Sequence, residues 1–334
     1  MRCAQDLNRE RGAALLTVLM IVAAMSVAAL AVTQAVTTAT QRARALDAQA
    51  QLGFYEASAE EVAKSRLTEV LQLTENRVNA DLPGFGEPQT VPVDGGAFLV
   101  VVRDASNCFN VNSLVKSGEG GQSISDPDAQ AAYLTVLTGA LEDGFEADPQ
   151  SLVSSLTDWM DSNSVPGSGG AEDSYYQSET PSYRTSSRAL DNLDELRAIR
   201  GYTRDVTRIL DPILCALPPT QNTAAITLNI NTLEEQHAPL LQLAFGEALE
   251  LREARELILL RPQGGWDSVA TMLEDPILQR IDPERVQVDR LGVVTSLVEV
   301  SANVSYRGYD MTMRYLFYAE PGRPLQTLRR ERVG

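Results

Sequence analysis

The chain has 334 residues with 45 acidic and 28 basic side chains, a net charge of −17 and one histidine. So acidic a balance disfavours phosphate backbones and bare anionic lipid as partners. A lone histidine argues against a Ser-His-Asp or Cys-His centre, and no P-loop or dinucleotide glycine fingerprint occurs, so no enzyme is expected and His237 reads as an ordinary polar helix residue.

At the amino end, Arg9, Glu10, Arg11 and Gly12 give way to a run from Ala13 to Gln41 without a charged side chain. As a helix this run reaches about 43 Å, more than the ~30 Å of a bilayer core. The polar leader, 1–12, then lies on one side and everything after Gln41 on the other. Ala29, Leu30 and Ala31 also form the small-residue pattern of a general signal peptidase site, which would make the protein secreted and soluble. Against that, Leu52, Tyr55, Ala59, Val62, Ala63, Leu67, Val70 and Leu71 continue at helical spacing, interrupted only by Gly53. The pattern predicts one helix from Ala13 to about Arg77, a membrane span over 13–41 extended into an amphipathic element.

A short basic leader ending in glycine, followed by an uncharged span that becomes an amphipathic helix, resembles the type IV pilins and the type II secretion pseudopilins. The resemblance implies that a prepilin peptidase cuts between Gly12 and Ala13 and methylates the new amino terminus; removal of 1–12 leaves a net charge of about −18. It also implies glutamate at the fifth mature position, where this chain has Thr17. In a filament that carboxylate would neutralise a neighbour's terminal amine, in hydrocarbon where an unpaired charge costs several kcal/mol. A subunit without it suits the first, tip-most position. This absence, with the large size, is similar to the minor pseudopilin K family of type II secretion.

Membership would imply a structural subunit in the bacterial inner membrane, single pass, with its bulk in the periplasm. Its partners would be the I and J types of minor pseudopilin, the major pseudopilin and the prepilin peptidase, with exported substrates and the outer-membrane secretin left open and no nucleic acid. Two other readings stand beside it: a minor pilin of a type IV pilus or competence system, and an exported calcium-dependent binding or hydrolytic protein released after Ala31.

Further along, the Pro- and Gly-rich stretch Pro83–Val93 reads as the turn that ends the long helix, and Gly96–Arg103 as a strand. Cys3 leaves with the leader, so Cys108 and Cys215 form an even pair outside the cytoplasm, and a disulfide is expected. Two buried free thiols remain the alternative, because sequence alone does not bring two Cα atoms within ~7 Å. Between about 111 and 285 the segments Ala129–Leu141, Pro149–Met160, Leu190–Arg200, Val206–Leu214, Leu233–Leu243 and Arg252–Leu260 have helical spacing.

Leu228–Thr232, with Ala254–Arg261, Gly265 and Trp266, resembles helix-hairpin-helix modules. Glu247, Glu250 and Glu253 around the Phe245–Gly246 turn make this a packing unit rather than a DNA reader. Val298 to Tyr306 and Met311 to Phe317 alternate as a hairpin about the turn Arg307–Asp310. The expected fold is therefore α+β: a pilin-like long N-terminal helix and small antiparallel sheet (42–110 and 286–320), with a large inserted α-helical domain over 111–285 and a tail over 321–334.

One stretch carries site chemistry. Asp158, Asp161 and Asn163 precede the Pro/Gly loop Pro166–Gly170, and Glu172 and Asp173 follow it, with Tyr175 and Tyr176 behind. Oxygen ligands converging on a flexible turn suit a hard cation that takes six to eight oxygens, although spacing and length differ from an EF-hand. The residues alone read more often as a solvated acidic loop than as a metal site. The K family has a loop of the form D-W-x-D-x-D with a later G-A-E-D-x-Y-Y that binds calcium in its α-domain. The resemblance thus implies calcium as cofactor, with Asn163 in place of an acid contributing an amide oxygen but no charge.

Overall fold

A computed structural model describes residues 3–93, 96–141, 147–218, 226–282 and 286–333, with side chains from Leu15 onward except that of Glu247. The first helix, α1, runs over Cys3–Leu73 and carries Gly12 and Ala13 within it, their side chains lying outside the described residues. Among the described residues it is the one helix long and apolar enough to cross a membrane. Several of its hydroxyls are satisfied locally: Thr33, Thr37 and Thr40 each donate to the carbonyl four residues back, at 2.8 Å. A bilayer core offers no other partners, so this internal bonding is what a span requires.

α1 stops four residues short of Arg77 because Glu75 and Asn76 take positive φ angles of 51° and 59°. The left-handed turn lets the Asn76 amide donate to the Leu71 carbonyl at 2.8 Å, closing the helix end.

Beyond the span α1 packs on a five-stranded antiparallel sheet, in sequence order: β1 (Gln89–Val93), β2 (Gly96–Asp104), β3 (Leu297–Tyr306), β4 (Tyr309–Tyr318) and β5 (Gln326–Val333). Ala48, Leu52, Leu67 and Leu71 bury against Phe98, Val304, Met313 and Tyr315. The expected stripe is right except at Val62, which is 58% exposed, while Glu60 is 4% exposed. Glu60 accepts from Thr327 at 2.8 Å and pairs with Lys64 at 2.9 Å and with Arg330, fastening β5 to the helix.

Two segments differ from the sequence reading. Gln89–Val93 is a strand rather than part of the turn, with Pro92 tolerated because β1 is an edge. The supposed tail forms β5, paired with β4 from Thr312↔Val333 to Tyr318↔Gln326. The β3–β4 turn is Arg307–Gly308 alone, with both φ positive at 50° and 84°, the two-residue geometry that matches strand twist. At Gly96 a Cβ would collide with the Ser305 carbonyl oxygen, which accounts for glycine there.

Two helical modules stand between β2 and β3. The first holds α2 (Pro127–Ala140), α3 (Pro149–Met160) and α4 (Arg204–Leu210). Asp126 and Asp148 cap the starts of α2 and α3, each followed by proline at the first helical position. Leu190–Arg200, expected as a helix, is a 3-10 segment over Leu193–Ala198, and the stretch after α4 ends in a two-residue strand, Leu214–Cys215. That strand pairs with Phe109–Asn110 and is clamped by the Cys108–Cys215 disulfide, whose Cα atoms are 5.6 Å apart.

The second module holds α5 (Ala238–Phe245), α6 (Leu251–Leu259) and α7 (Val269–Leu273) around Leu241, Phe245, Leu257 and Trp266. Val286 and Leu291 belong to its core and Leu291–Gly292 pairs with Leu228–Asn229, so the module runs past 285 and the sheet resumes at Leu297.

A polar junction joins modules to sheet. Asp104, the last residue of β2, accepts from Thr232 and Thr295 hydroxyls at 2.7 Å and from Asn229 Nδ2 at 2.9 Å through one oxygen. Its other oxygen accepts from the Ser106 amide at 2.9 Å. Asn229, fully buried, also donates to the Val78 carbonyl at 2.9 Å, and its backbone is matched by Asn107 at both N–H and C=O.

The disulfide closes a loop with a sequence separation of 107 residues, which the loop-entropy model values at about 4–5 kcal/mol. Reduction should lower the Tm of the wild type and leave a Cys108→Ala/Cys215→Ala variant, already lowered by a similar amount, unchanged. Equal melting of oxidised and reduced wild-type protein would show the bridge to be dispensable.

Candidate metal centre

The acidic residues after α3 divide into two sets. Asp158 and Asp161 lie at its C-terminal end, 4% and 3% exposed, and Glu172, 5% exposed, faces them from the start of the helical turn Asp173–Tyr176. The intervening loop folds back tightly. The Gly167 amide donates to both Asp158 carboxylate oxygens at 3.1 Å, and a Cβ at Gly170 would collide with Asp158 Oδ2. The glycines of Pro166–Gly170 are therefore there to let backbone approach a carboxylate, not only to make the loop flexible. Gly169, with φ of 75°, sits against the Ser151 hydroxyl in the same way.

The other two candidates stand apart. Asn163 is exposed, donates through Nδ2 to Asp161 at 2.6 Å, and turns its amide oxygen to the Val165 N–H at 2.7 Å. Asp173 accepts from the Thr185 amide and hydroxyl, each at 2.9 Å, and lies 3.8 Å from Arg184. Adjacent residues on a tight turn point to opposite sides, which separates Asp173 from Glu172.

The electrostatics follow this division. Hydrogen bonds from Thr185 hold the Asp173 carboxyl below its ordinary range. Glu172 is pushed up to about 7, first by burial and then by the charges of Asp158 and Asp161. Burial raises Asp158 and Asp161 as well, against amide donors from Gly167 and Asn163 respectively.

Among the described residues no Lys or Arg pairs with these three carboxylates, and Glu172 Oε1 is buried without a hydrogen-bond partner. An orphaned buried carboxylate oxygen beside two more carboxylates fits a hard divalent cation. Among the described residues, however, no three acidic, His or Cys side chains already converge at coordination geometry. Asp158, Asp161 and Glu172 would hold such an ion, with Asn163 at the rim.

Tyr175 and Tyr176, placed behind the loop by the sequence, do support the pocket, but the sequence reading missed Arg200 and Tyr183. Arg200 donates to the Gly170 carbonyl at 2.9 Å and lies over the Tyr175 ring at 4.9 Å, pinning the loop from outside. Trp159, Tyr176 and Tyr183 form the aromatic floor, with Trp159 and Tyr176 edge to face at 5.1 Å. No local spacing announces Arg200. His237 differs from expectation too. It is 8% exposed, its Nδ1 accepts from the Glu234 amide at 2.8 Å, and Nε2 is 3.2 Å from the Pro212 carbonyl oxygen. Burial lowers its pKa, so it is a neutral bridge between the two modules.

The metal-free pocket makes a pH prediction. A carboxyl that is raised in the native state keeps a proton that the unfolded chain releases, so its stabilising effect is full below the ordinary value of 4.5 and is lost as pH rises through about 7. The Tm of chelated protein should fall across that window, and Glu172→Gln should flatten the decline. A Tm that rises over the same window would mean that the carboxylates are not buried together.

The two helical modules match two family models, both described as Type II secretion system (T2SS), protein K, at residues 107–219 and 228–293 respectively. The type II secretion system protein K of Pectobacterium carotovorum subsp. carotovorum is 30% identical over 328 residues, 98% of each chain. Those of Klebsiella pneumoniae and Aeromonas hydrophila are 31% and 32% identical over 82% and 80% of this chain. The fold matches a chain in the crystal structure of the GspK-GspI-GspJ complex from the enterotoxigenic Escherichia coli type 2 secretion system. The TM-score is 0.71 at 24% identity, covering 88% of this chain and 99% of that one. With the long helix, the sheet and both modules accounted for over nearly the whole length, the chain belongs to the type II secretion system protein K family.

Proposed function

We propose that this minor pseudopilin caps the tip of the type II secretion pseudopilus and takes part in protein export across the outer membrane. The observation that carries the reading is Thr17 at the fifth position after Gly12, within a helix that otherwise has a pilin's span. A subunit with no carboxylate there has nothing to offer the terminal amine of a subunit above it, so it begins a filament rather than extending one. The GspK-GspI-GspJ complex supports the corresponding partners: α1 would lie beside the helices of the I and J types, with the major pseudopilin below.

On this reading a prepilin peptidase cuts between Gly12 and Ala13 and the new amino terminus is methylated. The chain waits in the inner membrane with everything beyond Gln41 in the periplasm, where the Cys108–Cys215 bridge is chemically at home. Its role is structural, not enzymatic. Calcium would be held by Asp158, Asp161 and Glu172 with Asn163, offsetting three buried negative charges and so holding α3 to the Glu172 turn. The metal's chemistry would be charge neutralisation in folding.

Two measurements test these assignments. Labelled copies of the protein should appear only at filament ends and far below the major pseudopilin in number; label along filament sides would remove the tip assignment. Calcium at a hundredfold excess over Kd should stabilise the protein by about 2.7 kcal/mol. That gain should vanish in Asp161→Ala/Glu172→Ala, and calorimetry without a binding signal would leave an acidic loop and no metal.

A further inference from the structure

The end of the sheet nearest the span differs in charge from the rest of the chain. Immediately after the uncharged run come Arg42 and Arg44, both exposed, and Leu46, 66% exposed. Asp47, about 9 Å along the helix from Gln41, pairs with Arg307 at 3.3 Å. This contact ties the β3–β4 turn to α1 within roughly one Debye length, about 8–10 Å, of the end of the span. The Arg307 guanidinium lies 5.2 Å from the centre of the Tyr306 ring, and Tyr309 across the turn is 40% exposed.

Three acidic groups stand at this end beside the three arginines, and on α1 Arg42 and Arg44 come before Asp47 as the first charges after the uncharged run. Asp47 is taken up by Arg307, and Asp310 accepts from the Ser305 hydroxyl. Asp94, in the adjoining β1–β2 connection, lies outside the described residues.

We propose that this end of the sheet rests in the headgroup layer of an anionic phospholipid bilayer, with the exposed Arg42 and Arg44 on lipid phosphates and the exposed Tyr309 at the interface, while Tyr306, 8% exposed, stays in the sheet's core and Arg307 holds the turn to Asp47. The inference rests on reading α1 as a membrane span. Guanidinium forks match phosphate oxygens, and tyrosine, apolar in body and polar at its tip, is suited to the boundary between headgroups and acyl chains. The chain as a whole carries −17, so an anionic surface repels its acidic bulk while attracting the stretch of α1 that begins with Arg42 and Arg44. Attraction below and repulsion above would set the soluble part upright over its own span before assembly.

The test uses the full chain with Cys3→Ser and Tyr309→Cys, labelled with a fluorophore at position 309, Cys108 and Cys215 remaining bridged. It is reconstituted into vesicles of phosphatidylcholine with or without phosphatidylglycerol, each doped with a lipid that carries a quencher on its headgroup. Quenching should be severalfold stronger with phosphatidylglycerol, should weaken at high salt, and should drop to the phosphatidylcholine level in Arg42→Gln/Arg44→Gln. These two exposed helix positions leave the packed sheet intact. Equal quenching in both vesicles, with the chain still floating with lipid, overturns the proposal alone. A chain that does not float with vesicles overturns the span and the proposal with it.

Discussion

The joint between the sheet and the helical modules depends on the carboxylate of Asp104. Three main apolar cores, one under the sheet and one in each helical module, meet through smaller contacts: Leu240 of α5 enters the first module's core, and Leu217, Leu297 and Leu316 cluster between that module and the sheet. What gives the joint its direction is polar: Asp104, Asn107, Asn229, Thr232 and Thr295 saturate one another at the point where β2 ends and the modules begin. In a low-dielectric interior such a network is directional in a way that apolar contact is not, and each donor left without its acceptor would carry a full desolvation penalty. Apolar burial makes the parts and helps to join them, and hydrogen-bond geometry specifies the direction of the joint between sheet and modules.

That division explains what could be read from the sequence. α1 and the β3–β4 hairpin are strongly periodic over many residues, and their existence followed from spacing alone. β1 and β5 did not, because neither alternates cleanly. Pro92 disguises the first, and the second is rich in arginine, stabilised by a glutamate some 270 positions away on α1. Val62 and Glu60 exchange expected roles for the same reason: burial of an acid becomes acceptable only when Lys64, Thr327 and Arg330 are assembled around it, and two of those three come from the far end of the chain.

The candidate metal centre was legible to a similar depth. Its acidic composition and glycine loop are local, and so were found, as was the disulfide pair. Which acids converge is a matter of backbone direction over two or three residues. Glu172 and Asp173 are neighbours in sequence yet differ entirely in surroundings, one orphaned among carboxylates and the other satisfied by Thr185. Arg200 supports the loop from thirty residues away, where no pattern marks it.

The clamp between Cys108 and Cys215 has a mechanical consequence. The chain enters and leaves the first helical module through two adjacent strands that are covalently joined, so the module is a covalently closed loop. Tension carried by the backbone from α1 passes through the sheet and across the disulfide without running through α2, α3 or α4. The module can be pushed against an obstacle or dragged through a narrow passage with its interior under compression only from outside, never pulled open from its ends.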